Sequence, residues 1–332
     1  MAYHRDEGAP LPSGCLLRKR YRIGPVLGRG ENGVTYEAVD TLSGGTVAIK
    51  EFFPKRLCVR AEGTSTLSPR DRESGTQFFL GSEAFLSQHD ALTQAAGSAS
   101  VVSVYEAFFE NGTSYAVMER LRGITLLEYT ARIKRRLRPG EAVTLLTALS
   151  GALLVVHSLN MLHGSIAPEN VFISEGGAVK LIDFGAARET LKLHRAVDNE
   201  QVQADIRALG RMVCVLLTGR PAPADPAPLY AMMPSTLASV LERMLTNDSQ
   251  LRFDSVFALL HATNCMEIPP ETLVIPAPRP AESAPIRREA PVDMPLPAVS
   301  MKTRKRARLM LLVGGVILAL LLILIITLAA KG

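Results

Sequence analysis

Three glycines, Gly28, Gly30 and Gly33, stand between two strand-like runs, Tyr21 to Leu27 and Val34 to Val39. In a doubly wound sheet, a glycine loop of this kind opens a helix; here it opens a strand. On its own the pattern is a weak signal, with a plain glycine-rich hairpin as the alternative. A further strand-like run, Thr46 to Phe52, carries Lys50 near its end, 22 positions after Gly28. Glycines let backbone N–H groups approach phosphate oxygens, and a lysine held nearby can grip the phosphates of a nucleotide. Helical spacing follows from Gln77 to Gln88, Pro139 to Leu159, Asp205 to Thr218 and Ser235 to Leu245. Strands first and helices later predict an α+β fold with two lobes, the small one β-rich and the large one α-rich.

Two further strings carry chemistry. Leu181-Ile182-Asp183-Phe184-Gly185 is an apolar strand running into an acid that can hold Mg²⁺. Before it, His163-Gly164-Ser165-Ile166-Ala167-Pro168-Glu169-Asn170 offers Asn170 as a second metal ligand. With Val47-Ala48-Ile49-Lys50-Glu51-Phe52-Phe53-Pro54 and the glycine loop in this order, the chain resembles the protein kinase family, in its bacterial Ser/Thr type, over roughly residues 22–261. The resemblance implies ATP and Mg²⁺ as cofactors. It places Leu27, Gly28, Gly30, Gly33, Thr35, Ala48, Lys50, Glu83, Met118, Glu119 and Leu121 around the nucleotide, with Asn170 and Asp183 on the metal. Glu83, preferred to Glu73, is the expected ion-pair partner of Lys50. Met118 is the expected gatekeeper, with the backbone of Glu119 and Leu121 facing adenine. Asp205 resembles a structural aspartate that binds the catalytic-loop backbone. Arg252 resembles an arginine that pairs with a glutamate after the activation segment.

The pattern breaks at the catalytic loop, where the family has His-Arg-Asp and this chain has His163-Gly164-Ser165. A serine hydroxyl carries no charge near neutral pH, and loss of a general base costs about 10²- to 10⁴-fold in rate. Gly164 has no side chain to pair with a phosphorylated activation loop. Only 22 positions separate Asp183 from Asp205, and no Ala-Pro-Glu follows. The catalytic set therefore reads as Lys50, Asp183 and a degenerate Ser165: nucleotide positions kept, protein-substrate positions lost. Three functions fit: an ATP- and Mg²⁺-binding pseudokinase acting as a signalling or scaffold module, a working kinase without the usual base, and a scaffold that binds no nucleotide.

Leu309 to Ala330 is 22 residues without a charge. As a helix it reaches about 33 Å, enough for a hydrocarbon core of about 30 Å. Lys302, Arg304, Lys305, Arg306 and Arg308 precede it and predict that the rest lies on the cytoplasmic side. With only Lys331 and Gly332 beyond it, the run reads as an anchor in membrane lipid, and Gly315 with Ala319 would serve self-association. The expected organisation is an N-terminal segment 1–20, a kinase-like domain 21–267, a proline-rich linker with the basic cluster 268–308, and a transmembrane helix 309–330. The linker is read as a semi-rigid spacer. The formal charge of +5 is modest, and no nucleic-acid partner is expected. Cys15, Cys58, Cys214 and Cys265 are scattered, which argues against zinc and fits a reducing setting. A further protein partner is implied without being identified.

Overall fold

The computed structural model describes residues 8–184, 198–220 and 230–277. The expected transmembrane run, the basic cluster and the stretch from Gly185 towards Asp198 lie outside them.

The small lobe is built on a six-stranded antiparallel sheet of β1 (Leu16–Leu17), β2 (Tyr21–Arg29), β3 (Gly33–Asp40), β4 (Thr46–Phe52), β7 (Val104–Glu110) and β8 (Thr113–Glu119), in the order β1-β2-β3-β4-β8-β7. Tyr21 and Ile23 point into the core while Arg22 faces water, so β2 has the two-residue period of a half-buried strand. The β2–β3 register shifts between Ile23 and Val26, where Pro25 has no N–H for the ladder. The short strands β5 (Cys58–Val59) and β6 (Ser68–Pro69) pair between β4 and the first helix.

That helix, α1 (Arg72–Leu92), starts at Asp71, whose side chain accepts from Ser74 N at 2.7 Å. Phe78, Gly81, Ser82, Phe85, His89 and Leu92 form its buried face at three- and four-residue spacing. Phe52 stacks on Phe78 and packs tilted against Phe85, at centroid distances of 5.8 and 5.7 Å. A Cβ at Gly81 would lie 2.6 Å from the Phe52 ring, so any side chain there must displace that ring for the helix to settle on the sheet.

The large lobe holds β9 (Gly123–Thr125), β10 (Val171–Ser174) and β11 (Val179–Leu181) as one small sheet, with α2 (Leu126–Ile133), α3 (Pro139–Ser158), α4 (Asn199–Thr218), α5 (Ser235–Leu245) and α6 (Val256–Asn264). Helix α3 is long and apolar enough to cross a membrane, but it is mostly buried in this lobe. Cys214 is buried on α4, as expected of a small core residue. Each lobe has its own apolar core, and Met118 packs against both.

The fold continues past the boundary read at Glu267. Leu273 is fully buried, Glu271 N donates to Gly140 O at 3.1 Å, and Thr144 Oγ1 donates to Glu271 O at 2.8 Å. Residues 268–277 are a strap on the large lobe, so a spacer can begin only after them. Proline blocks helix and ladder there, but side-chain and single backbone bonds still hold an extended chain to a surface.

Gly123 joins β9 to the hinge at φ 147°, and a Cβ there would meet Ile173 O at 2.0 Å. Gly44 has φ 74° with open space around it. Gly44→Ala should cost about 1 kcal/mol, for backbone strain alone. Gly123→Ala should cost about 3 kcal/mol or more, because the β9–β10 pairing must also open. Urea midpoints of the two variants check this; equal shifts would mean that the contact with Ile173 relaxes without cost.

Candidate functional site

The cleft lies between the lobes. Lys50 projects from β4, and its ammonium forms an ion pair with Asp183, just past β11. Asp183 is non-glycine at φ 53°, a left-handed conformation that its surroundings must hold. Its carboxylate is half exposed to the cleft. Burial pushes the Asp183 pKa up, but the charge and hydrogen bond of Lys50 outweigh this and hold it below the usual carboxylate value. The adjacent Phe184 turns inward, buried against His163 with ring centroids 4.9 Å apart.

The three glycines separate into two roles. A Cβ at Gly28 meets nothing within 4 Å, and one at Gly30 only Gly33 O at 3.9 Å, so space is open around this part of the loop. A Cβ at Gly33 would strike Glu51 O at 2.6 Å. Gly33 is thus required by the close approach of β3 to β4, whatever the loop binds. Leu27 is exposed on β2, Ala48 is buried beside Met118, and Thr35 pairs with Lys50 across β3 and β4.

At the hinge, Glu119 N donates to Ser103 O at 2.9 Å, and its carboxylate accepts from Ser103 N at 2.7 Å and pairs with Lys180 of β11. The Glu119 N–H is therefore taken. The Leu121 N–H has no hydrogen-bond partner among the described residues, which leaves it as a donor to a base. Arg120 ties the hinge to β3 through Glu37 at 2.9 Å.

The catalytic loop hangs on Asp205, from α4. Its carboxylate accepts from His163 N and Gly164 N, each at 3.0 Å, and from His157 Nε2 at 2.9 Å. His163 donates from Nε2 to Ile182 O at 3.2 Å and accepts at Nδ1 from Ser165 N at 3.3 Å. Those two bonds need a neutral ring, in agreement with burial, which lowers the His163 pKa. Asn170 Nδ2 donates to Ser165 O at 2.7 Å and to Ser165 Oγ at 3.2 Å. Ser165 thus stands at the base position as a neutral hydroxyl held by an amide. Asn170 Oδ1 has no partner among the described residues and can take a cation.

One expected site residue is elsewhere. Glu83 is exposed on α1 and makes no ion pair with Lys50; Glu73 is exposed too. The apolar spacing around Glu83 locates the buried face correctly, but Glu83 follows Ser82 by one residue and so lies about 100° around the helix from it. What α1 turns toward the charged pair is His89, whose imidazole feels both Lys50 and Asp183. No motif marks His89; only its place in the 78-81-85-89-92 stripe does. Arg252 pairs with Glu200 of α4 at 3.4 Å and also donates to Thr246 O and Asn247 O. Gly185 lies outside the described residues.

Among the described residues no cluster of three or more His, Cys, Asp or Glu could hold a metal unaided. The donor set still suits Mg²⁺, which is usually held by one or two carboxylates together with substrate phosphates. Asp183 and Asn170 would supply the protein share.

Residues 21–208 match the family model described as Protein kinase domain. The probable serine/threonine-protein kinase zyg-1 of Caenorhabditis briggsae is 32% identical over 175 residues, covering 46% of this chain and 24% of that protein. Serine/threonine-protein kinase PknA of Mycobacterium tuberculosis is 25% identical over 321 residues, covering 85% of this chain and 68% of that protein. The chain thus spans about a quarter of the first and about two thirds of the second. Among solved structures, the apo form of PpkA-294 superposes with a TM-score of 0.63 at 24% identity, over 76% of this chain and 99% of that one, which shows a shared fold.

Proposed function

Since the chain belongs to the protein kinase family, we propose that it is a membrane-anchored pseudokinase that binds ATP and Mg²⁺ and acts as a signalling or scaffold module. The observation that carries this reading is the asymmetry of the cleft. Lys50, Asp183, Asn170 and the open Gly28–Gly30 loop are assembled on the nucleotide side, while Ser165 Oγ, an uncharged hydroxyl bonded to Asn170, stands where a proton must be taken. Lys50 would hold phosphate oxygens, and Asp183 with Asn170 would hold the metal. ATP supplies the phosphates that complete that metal's shell. Both oxygens of Asp205 are committed to the catalytic-loop backbone and to His157, so Asp205 is not free to serve as the missing base. A bound nucleotide changes the surface offered to a protein partner only if it binds two conformations with different affinity.

The uncharged run 309–330 after the basic cluster supports the anchor, with the kinase-like domain on the cytoplasmic side. Extraction of membranes at alkaline pH should leave the full chain in the pellet, and deletion of 309–330 should release it.

Nucleotide binding has a direct test. With ATP about 100-fold above its dissociation constant, stability should rise by about 2.7 kcal/mol, a shift of roughly 5–10 °C in melting temperature. The shift should need Mg²⁺ and vanish in Lys50→Met. No shift at millimolar ATP would sink the nucleotide part and leave a scaffold. The inward Phe184 supports a second reading, slow phosphoryl transfer without the usual base, because transfer leans mainly on positioning and electrostatics. Phosphate incorporation from labelled ATP, abolished by Asp183→Asn, would establish it.

A further inference from the structure

Between Arg132 and Arg138 the chain carries five cations in seven residues: Arg132, Lys134, Arg135, Arg136 and Arg138. They form the turn from α2 to α3, and all five are exposed. Two are accounted for. Arg135 binds the buried Glu141 carboxylate at 2.7 Å, and Arg138 reaches Glu141 at 3.3 Å and Glu271 at 3.0 Å. Arg132, Lys134 and Arg136 have no carboxylate within 4 Å among the described residues, and neither has the neighbouring Arg220. Leu137 N donates to Leu216 O at 3.0 Å, and a Cβ at Gly219 would lie 3.4 Å from Arg136 Nε. These contacts draw the turn against the end of α4, just before Arg220. Four like charges with no carboxylate partner among the described residues are thus brought near one another, where they repel each other.

We propose that this face is a docking surface for the anionic headgroups of the membrane in which the chain is anchored. The occupant follows from the strap. Arg138 holds Glu271, and Glu271 N holds Gly140 O, so the segment that leads on to the basic cluster and the uncharged run lies beside this turn. A tethered domain meets the bilayer at high effective concentration, so individually weak cation contacts suffice. Each Lys or Arg near an anionic leaflet changes surface association by about fivefold. An acidic protein arriving from solution would have no such tether and would need an affinity of its own.

The proposal rests on the anchor reading, and the experiment separates the two. The full chain is placed in nanodiscs of phosphatidylcholine alone and of phosphatidylcholine mixed with phosphatidylglycerol, and backbone amide exchange is followed across residues 130–137 and 216–220. Slower exchange in the anionic discs only, reversed by high salt and by R132E/K134E/R136E, is the expected result. The neutral variant R132Q/K134Q/R136Q should lose the same protection and guards against a folding defect in the charge-inverted one. Equal exchange in both lipids overturns the proposal, and so does protection in both, which would mean that protein covers the face. If the chain does not stay with the discs, the anchor reading fails. The surface is then judged by sedimentation with phosphatidylglycerol vesicles: binding lost in the variants supports it, and no binding overturns it.

Discussion

Replacing Glu51 with glutamine should cost about 3–5 kcal/mol, the loss expected when one partner of a buried ion pair is removed. Glu51 and Arg60 are both fully buried, and their ion pair sits behind the sheet, on the side of β4 opposite Lys50. The Glu51 carboxylate also accepts from Tyr36 Oη at 2.8 Å and Tyr115 Oη at 2.7 Å, so its lone pairs are well used. Arg60 donates further to Ser65 O at 3.2 Å and Ala9 O at 3.3 Å. One carboxylate thus fastens the N-terminal segment and the β5–β6 hairpin to the sheet that carries Lys50. The two halves of the pair should respond unequally. In Glu51→Gln the guanidinium is stranded in a dry site and cannot shed its proton. In Arg60→Met the stranded carboxyl can protonate and keep its two tyrosines, so the loss should be smaller. The melting temperature of Glu51→Gln should fall by roughly 10 °C, against less for Arg60→Met. Equal losses, or a loss below about 1 kcal/mol, would show that water reaches the pair.

Little of that network could be read from the sequence. Lys50-Glu51 looks like ordinary alternation at a strand end, and Arg60 stands in a polar loop where an arginine is usually solvated. Burial of both depends on Tyr36, Tyr115 and the N-terminal segment meeting at one point, a tertiary fact with no local period. The elements themselves were more legible. The run Thr46 to Phe52 coincides with β4, and Ser235 to Leu245 with α5, because the apolar period there is sustained and the ends are marked. Helix α1 was seen only in part. Its first turn is polar, and Asp71, which caps it, resembles any other surface acid. Ordered motifs gathered Lys50, Asp183, Asn170 and Ser165 into one cleft. The partner of Lys50 was misplaced because a helix face must be known to within one residue to say which side chain arrives. The strap at 268–277 was hidden by its prolines, which exclude regular structure but say nothing about docking.

The buried face of α1 carries a titratable ring, His89, and no carboxylate, and acid should expose it. His89 is buried on α1, tilted against Phe85 at 3.9 Å between centroids, and its Nδ1 donates to Phe85 O at 2.8 Å. Burial first, and then the positive charge of Lys50, push its pKa down to about 4, opposed by the bond to Phe85 O and, to a lesser degree, by Asp183. In the unfolded chain the same ring titrates near 6.5. Between these values the unfolded state binds more protons than the folded one, so stability rises with pH across the window and is lost as pH falls through it. The difference of about 2.5 pH units, at about 1.4 kcal/mol each, gives a total near 3 kcal/mol, of which about 2 kcal/mol is gone by pH 5. His163, also lowered by burial, acts in the same direction. Two acids with lowered pKa values do not confuse this range. Asp183 is held below the usual carboxylate value and Glu141 at about 2, so each gives up its share mainly below about pH 5, at the acid edge of the range. His89→Leu should lose about 1 kcal/mol at neutral pH, for the bond to Phe85 O, and become less steep between pH 6.5 and 4.5. Melting temperatures of the parent and the variant across that range decide the matter. Parallel curves would mean that His89 takes up its proton as readily in the folded protein as in the unfolded chain, so that the ring becomes a second cation near Lys50 below about pH 6.5.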